Sequence, residues 1–159
     1  MKYQIDNVDK QILSYLVKNA RVPFLEIARE CNISGAAIHQ RVKKMEDAGI
    51  IQGSRFVVNA QAIGLNVCAY IGITLDHAHK YKAVVKELAK IPEITECSFI
   101  TGPYTFFVKV MCTNHQHLMN VLINTFQNMP GITKTETFIS LEQLIDKQID
   151  PINDCLKVK

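Results

Sequence analysis

In the stretch VCAYIGITL, apolar side chains fall at every second position: Val67, Ala69, Ile71, Ile73 and Leu75. A strand with one buried face requires that alternation, because its successive side chains point to opposite sides. The first 50 residues follow another rule. There, apolar residues recur every three or four positions, the spacing of amphipathic helices. A chain of 159 residues that changes period near Asn66 is expected to hold two small modules, each with its own core.

Downstream of the change, KYKAVVKELAKI reads as a helix with Tyr81, Val84, Val85 and Leu88 inward, stopped by Pro92. ITECSFIT is a strand, Gly102-Pro103 a turn and TFFVKVMC a second strand. NHQHLMNVLINTFQNM is a helix capped near Asn114, with Leu118, Leu122, Phe126 and Met129 on one face, ended by Pro130-Gly131; ITKTETFIS is the last strand. The order β-α-β-β-α-β is the ferredoxin-like split βαβ arrangement. Its two helices cover one sheet face. The other face, expected to bear Phe99 and Ile139, is left for a partner, which predicts at least a homodimer.

Upstream, three helices are expected. Asp6 caps the first, with Asp9 in its opening turn. Pro23 opens a short second helix with Phe24, Ile27 and Ala28 inward. Asn32 suits a left-handed turn, Ser34 caps the third helix and Gly49 ends it. On that third helix Ile38, Val42 and Met45 form the inner stripe. Ala36, His39, Gln40 and Lys43 lie roughly opposite, with Arg41 and Lys44 flanking the stripe. A helix that starts with small residues and continues with amides and cations can approach a groove closely, then reach base edges and phosphates. A short helix, a tight turn and such a helix form a helix-turn-helix. FVV, at 56–58, reads as the strand of a wing that would put Arg55 against backbone phosphate. Residues 1–60 hold nine Lys/Arg against six Asp/Glu, and residues 61–159 hold nine of each. All the net positive charge therefore lies in the module expected to meet a polyanion.

The divisions expected are a helix-turn-helix module at 1–53, a wing and linker at 54–65, the βαββαβ module at 66–149 and a tail at 150–159. No apolar run reaches the length of a membrane span, and MKYQIDNVDK lacks the apolar core of a signal peptide. A cytoplasmic protein is expected. Five scattered cysteines without a CxxC pair argue for free thiols rather than a disulfide framework.

Three blocks, IDNVDKQIL, SGAAIHQRVKKMEDAGIIQG and TGPYTFFVKV, resemble the Lrp/AsnC, or feast/famine, family of prokaryotic transcription regulators. The resemblance runs to about Ile149 and is nearest to the asparagine-responsive AsnC subgroup, through NAR, IHQRVKKMEDAGII, KVMC, VLIN and TET. It implies an α+β chain: a winged helix-turn-helix followed by a ferredoxin-like βαββαβ effector and oligomerisation domain. It also implies double-stranded DNA as partner, self-association as dimers and higher oligomers up to an octamer, and a small amino acid as effector, asparagine first. DNA would be met by Ser34, Ala36, His39, Gln40, Arg41, Lys43, Lys44 and Arg55. The effector would be met by Thr101, Gly102, Tyr104, Thr105, Thr135 and Thr137. The chain departs from the family in two places. Asn32-Ile33-Ser34 stands where Gly-Leu-Ser is frequent, and Gly102-Pro103-Tyr104-Thr105 lacks both acids of the Gly-Asp-x-Asp pattern.

His77-x-His79 and His115-x-His117 have metal-like spacing. Each lies at a helix start without a clear third ligand, so no metal and no cofactor are expected. No nucleophile elbow, phosphate loop or zincin motif is present. The enzyme alternative is a sirohaem decarboxylase of the same two-module architecture. Such an enzyme needs cations for a carboxylate-rich tetrapyrrole, and Arg55 is the last arginine in the chain.

Overall fold

The computed structural model describes residues 3–151. They form two compact units, residues 3–57 with 145–151, and residues 58–144. The expected tail at 150–159 lies almost wholly outside the described residues.

The first unit holds α1 (Asn7–Lys18), α2 (Phe24–Glu30) and α3 (Gly35–Asp47). Each helix begins and ends for a local reason. Asp6 and Asp9 form a reciprocal capping box on α1. Pro23 takes the cap position of α2 rather than its first helical position, with extended backbone. Asn32 is the one described non-glycine residue with positive φ, 53°, and it makes the turn into α3. Ser34 then caps α3 by accepting from the Ala37 N–H, and Gly49 leaves it at φ 71°. Ile12, Leu13, Ile27, Ala28, Ile38, Val42 and Met45 form the core. The wing strand does not form. Residues 52–59 have no regular secondary structure and lie exposed, because an extended segment with no neighbouring edge gains no ladder hydrogen bonds. Phe56 instead lies under the Arg21 guanidinium, 4.4 Å from ring centroid to carbon.

The second unit holds β1 (Val67–Leu75), α4 (Tyr81–Leu88), β2 (Ile94–Phe99), β3 (Phe106–Cys112), α5 (His115–Val121) and β4 (Ile132–Ser140). The sheet is antiparallel in the order β2-β3-β1-β4. The core holds Ala69, Ile71 and Ile73 of β1 and Phe106, Val108 and Val110 of β3. They pack with Val84 and Leu88 of α4, and with Leu118, Val121 and Phe126. Tyr81 and Val85 remain more than one third exposed, so the inner face of α4 is narrower than its apolar count. Leu122–Phe126 continues α5 as a π-turn, which rotates the end of the helix. Phe126 is fully buried while Leu122 is only partly so.

Register corrects the expected assignment of faces. Directly paired residues share a side of the sheet. Ile139 pairs with Ala69, and Phe99 with Phe106, so both belong to the helix-covered face and are exposed because they sit on edge strands. The uncovered face is built from the alternate residues: Tyr70, Gly72, Phe107, Glu136 and Phe138.

Candidate DNA-facing helix and effector turn

On α3 the buried stripe is Ile38, Val42 and Met45, and Ala36, His39, Gln40, Lys43 and Lys44 are exposed. Gln40, Lys43 and Lys44 project into solvent beyond a helix start made of Gly35 and Ala36. His39 is less free. Its ring meets the Phe24 ring edge-on at 4.5 Å between centroids, which ties α3 to α2. Ser34 spends its hydroxyl on the helix cap. Arg55 is exposed in the segment without secondary structure.

Arg41, expected to meet DNA, is engaged by carboxylates of α1. Its Nη1 donates to Asp6 Oδ2 at 2.7 Å and to Asp9 Oδ1 at 2.8 Å. Asp9 is 1% exposed. Its Oδ2 also accepts from the Tyr3 hydroxyl at 3.0 Å and from the Asp6 N–H at 3.1 Å. Hydrogen bonds donated to Asp9 first and Asp6 second hold the guanidinium firmly charged. Burial alone would raise the Asp6 carboxyl, but the Asp9 N–H and the Arg41 guanidinium outweigh it and hold it below the usual range. Burial, then the hydrogen bond to Asp9, pushes the Tyr3 hydroxyl up. A signal for this network is present in the sequence. Asp9 shares a helical face with Ile12, Leu13 and Leu16, and a carboxylate on an inward stripe needs a cation.

In the second unit the expected effector residues divide. Thr101 and Gly102 are exposed in the turn between β2 and β3, with Gly102 at φ 119°. Thr105 closes that turn onto β1: its N–H donates to the Ile73 carbonyl at 2.7 Å, and its hydroxyl accepts from the Leu75 N–H at 3.4 Å. Thr135 and Thr137 pair with Ile73 and Ile71, which places them on the helix-covered face at the β4 edge. Tyr104 goes to the opposite face. Its hydroxyl donates to Glu136 Oε2 at 2.7 Å, and its ring lies so close over Gly72 that a Cβ there would stand 2.7 Å from the ring. The ring stacks with Phe107 and meets Phe138, at 6.3 Å in both cases; Tyr70 stacks on Phe107 at 5.7 Å. The hydrogen bond to Glu136 raises the Tyr104 hydroxyl's pKa, while Lys134 and Tyr104 hold the Glu136 carboxyl down. Sequence reading missed this aromatic group, although a glycine inside an alternating strand is the mark of a close approach.

The histidine pairs take other parts. The His77 and His79 rings meet each other edge-on at 5.4 Å. His117 bridges Glu93 Oε1, at 2.9 Å from Nε2, and the Thr113 N–H, at 3.3 Å from Nδ1. Among the described residues no three metal-ligating side chains converge, and no helix is long and apolar enough to cross a membrane.

Residues 5–52 match the family model described as winged helix-turn-helix DNA-binding, and residues 68–149 the model described as Lrp/AsnC ligand binding domain. The chain is 42% identical over 149 residues to the regulatory protein AsnC of Escherichia coli strain K12, covering 94% of this chain and 98% of that one. It is 35% identical over 142 residues to the HTH-type transcriptional regulator FL11 of Pyrococcus furiosus, covering 89% and 93%. Its structure superposes on that of E. coli AsnC with a TM-score of 0.88, covering 94% of this chain and all of the other. A Neisseria meningitidis transcriptional regulator solved with L-Met shares the fold at 20% identity, with a TM-score of 0.85 over 91% of this chain and 94% of that one.

Proposed function

The chain belongs to the Lrp/AsnC family of transcription regulators, and from that premise we propose how it reads DNA, assembles and senses a small molecule. The observation that carries the DNA reading is the division of α3: a fully used apolar stripe inward, and Ala36, His39, Gln40, Lys43 and Lys44 outward. Gln40 is suited to an adenine edge and Lys43 to guanine or phosphate. Lys44 and Arg55 contribute charge to the backbone contacts, and Ser34 holds the helix end that approaches it. The role is regulatory rather than catalytic, exercised in the cytoplasm where the DNA is.

The working unit is at least a dimer, formed by the uncovered sheet face with its Tyr70, Tyr104, Phe107 and Phe138 rings. One small DNA-binding module buries only about 600–1,000 Å² on DNA, and two copies are needed for tight, specific recognition. Higher assembly, to an octamer, follows the family.

The effector is an amino acid, asparagine first. Gly102 opens the β2–β3 turn so that a carboxylate can approach backbone N–H groups. The hydroxyls of Thr101, Thr105, Thr135 and Thr137 donate and accept, which suits a side-chain amide. Tyr104 on one face and Thr135 and Thr137 on the other cannot close round one ligand within a single copy, so the site draws on more than one copy. Binding regulates only if the ligand's affinity differs between assembly states. Calorimetry with each of the twenty amino acids tests this. Asparagine should give the strongest signal, and Thr105→Val should abolish it; no binding by any amino acid at millimolar concentration refutes the effector. A duplex selected from a random pool by the wild-type protein tests the DNA reading. Unchanged binding by a Gln40→Ala/Lys43→Ala protein refutes it.

A further inference from the structure

We propose that Arg41 is a positioning residue for DNA recognition: it lies on the reading helix but sets that helix against α1 and makes no contact with DNA. The inference rests on α3 as the DNA-facing element. Three observations support it. The two carboxylates that Arg41 reaches are those of the capping box of α1, each met at the oxygen the box leaves free. One of them is on Asp9, whose side chain is 1% exposed and whose remaining oxygen is occupied by Tyr3 and the Asp6 backbone. The Arg41 side chain is itself 31% exposed, against the open positions of Lys43 and Lys44.

Both short bonds use the same Nη1, so two carboxylates converge on one edge of a planar, permanently charged group. Pulling that group away to a phosphate would leave Asp9 buried with its charge uncompensated. The guanidinium is therefore unavailable to DNA while it compensates the buried Asp9 carboxylate. The same bonds fix α3 at its middle turn, between Ile38 and Met45, and His39 against Phe24 fixes it on the α2 side. Gln40 and Lys43 lie on either side of Arg41 in the chain. A small rotation of α3 about its axis would swing both away from the groove edges they must meet within hydrogen-bond distance.

The test compares full-length wild type, Arg41→Gln, Arg41→Lys, Arg41→Gln/Asp9→Asn and Lys44→Ala. The probes are a duplex selected from a random pool by the wild type and a scrambled duplex of the same composition. Binding is measured across salt concentrations, below each variant's melting midpoint by circular dichroism. Arg41→Gln should lose at least tenfold in its preference for the selected duplex. Its slope of log affinity against log salt should stay at the wild-type value. Asp9→Asn, which removes the stranded charge and leaves an amide pair, should restore part of the preference to Arg41→Gln. Lys44→Ala should lower the slope by about one for each phosphate that the lysine neutralises. Arg41→Lys keeps the charge opposite Asp9, so it stays folded if Arg41→Gln does not; it should show the same loss of preference, to a smaller degree, at an unchanged slope. A slope reduced by Arg41→Gln or Arg41→Lys would make Arg41 a phosphate contact and overturn the proposal. Unchanged preference in the folded variants would make it a stabilising residue only, and also overturns it. If wild type shows no preference between the duplexes, or Gln40→Ala/Lys43→Ala retains it, the reading of α3 fails instead.

Discussion

Gly72 is defined by what stands over it. The Tyr104 ring covers its Cα on the open sheet face, with three ring carbons within 2.8 Å of where a Cβ would be. Those carbons are at the root of the ring, so the whole side chain must move to make room. Gly72→Ala should cost about 1–3 kcal/mol, the usual range for overpacking, and should break the Tyr104–Glu136 hydrogen bond. In urea unfolding, adding Tyr104→Ala to Gly72→Ala should cost less than the two single changes summed, because one clash accounts for much of both. Equal, additive losses would show that the ring does not rest on Gly72. Gln40 is the opposite kind of residue, exposed on the outer side of α3 and away from the core. Gln40→Ala should leave stability within about 0.5 kcal/mol and lower discrimination between selected and scrambled duplexes by about 1–3 kcal/mol.

At the scale of elements, α1 and α3 depend on their first turns. Ser34→Ala should lower stability by about 1 kcal/mol through loss of the cap, read as a drop in the thermal midpoint. The α1 cap also titrates. The Asp6 carboxyl is held below its usual value, so the stability it adds is present above an unfolded pKa of about 3.9 and is lost as pH falls through the lower folded value. The Asp6 side chain is half exposed, which makes the effect small and salt-sensitive. A thermal midpoint that falls below about pH 4, less steeply in Asp6→Asn, is the expected result. These caps were legible in the sequence because capping is local: Asp6, Ser34, Asn32 and Gly49 act within a few positions of where they stand. The strands were legible because their alternation is local too. What was hidden depends on distance in the chain. Arg41 reads as a DNA contact, and nothing beside it in the chain announces its bond to Asp9, 32 positions back. The π-turn at Leu122–Phe126 leaves no mark, since Leu118 and Phe126 fall on one face under either helical period. The split of the effector residues follows from pairing register, which no single strand carries in its own sequence.

At the scale of the whole molecule, the uncovered sheet face is the surface through which association is proposed. Phe138→Asp places a charge among Tyr104 and Phe107 where a second copy is expected to pack. Sedimentation at micromolar concentration should give wild type at twice the 18.0 kDa chain mass or a multiple of it, and Phe138→Asp shifted toward the single chain. A wild type found only as the single chain refutes the dimer.

Strand β4 changes sides at every residue: Thr135 and Thr137 look toward the helices, and Glu136 and Phe138 toward the open face. The two sets are therefore separately tunable. Under the proposed roles, substitutions at the odd-numbered positions would retune small-molecule preference and those at the even-numbered positions the packing of copies, two dials on one strand. The insertion of a single residue, by contrast, turns both dials at once and exchanges the two sets of side chains. The length of β4 is for that reason under tighter restraint than its composition.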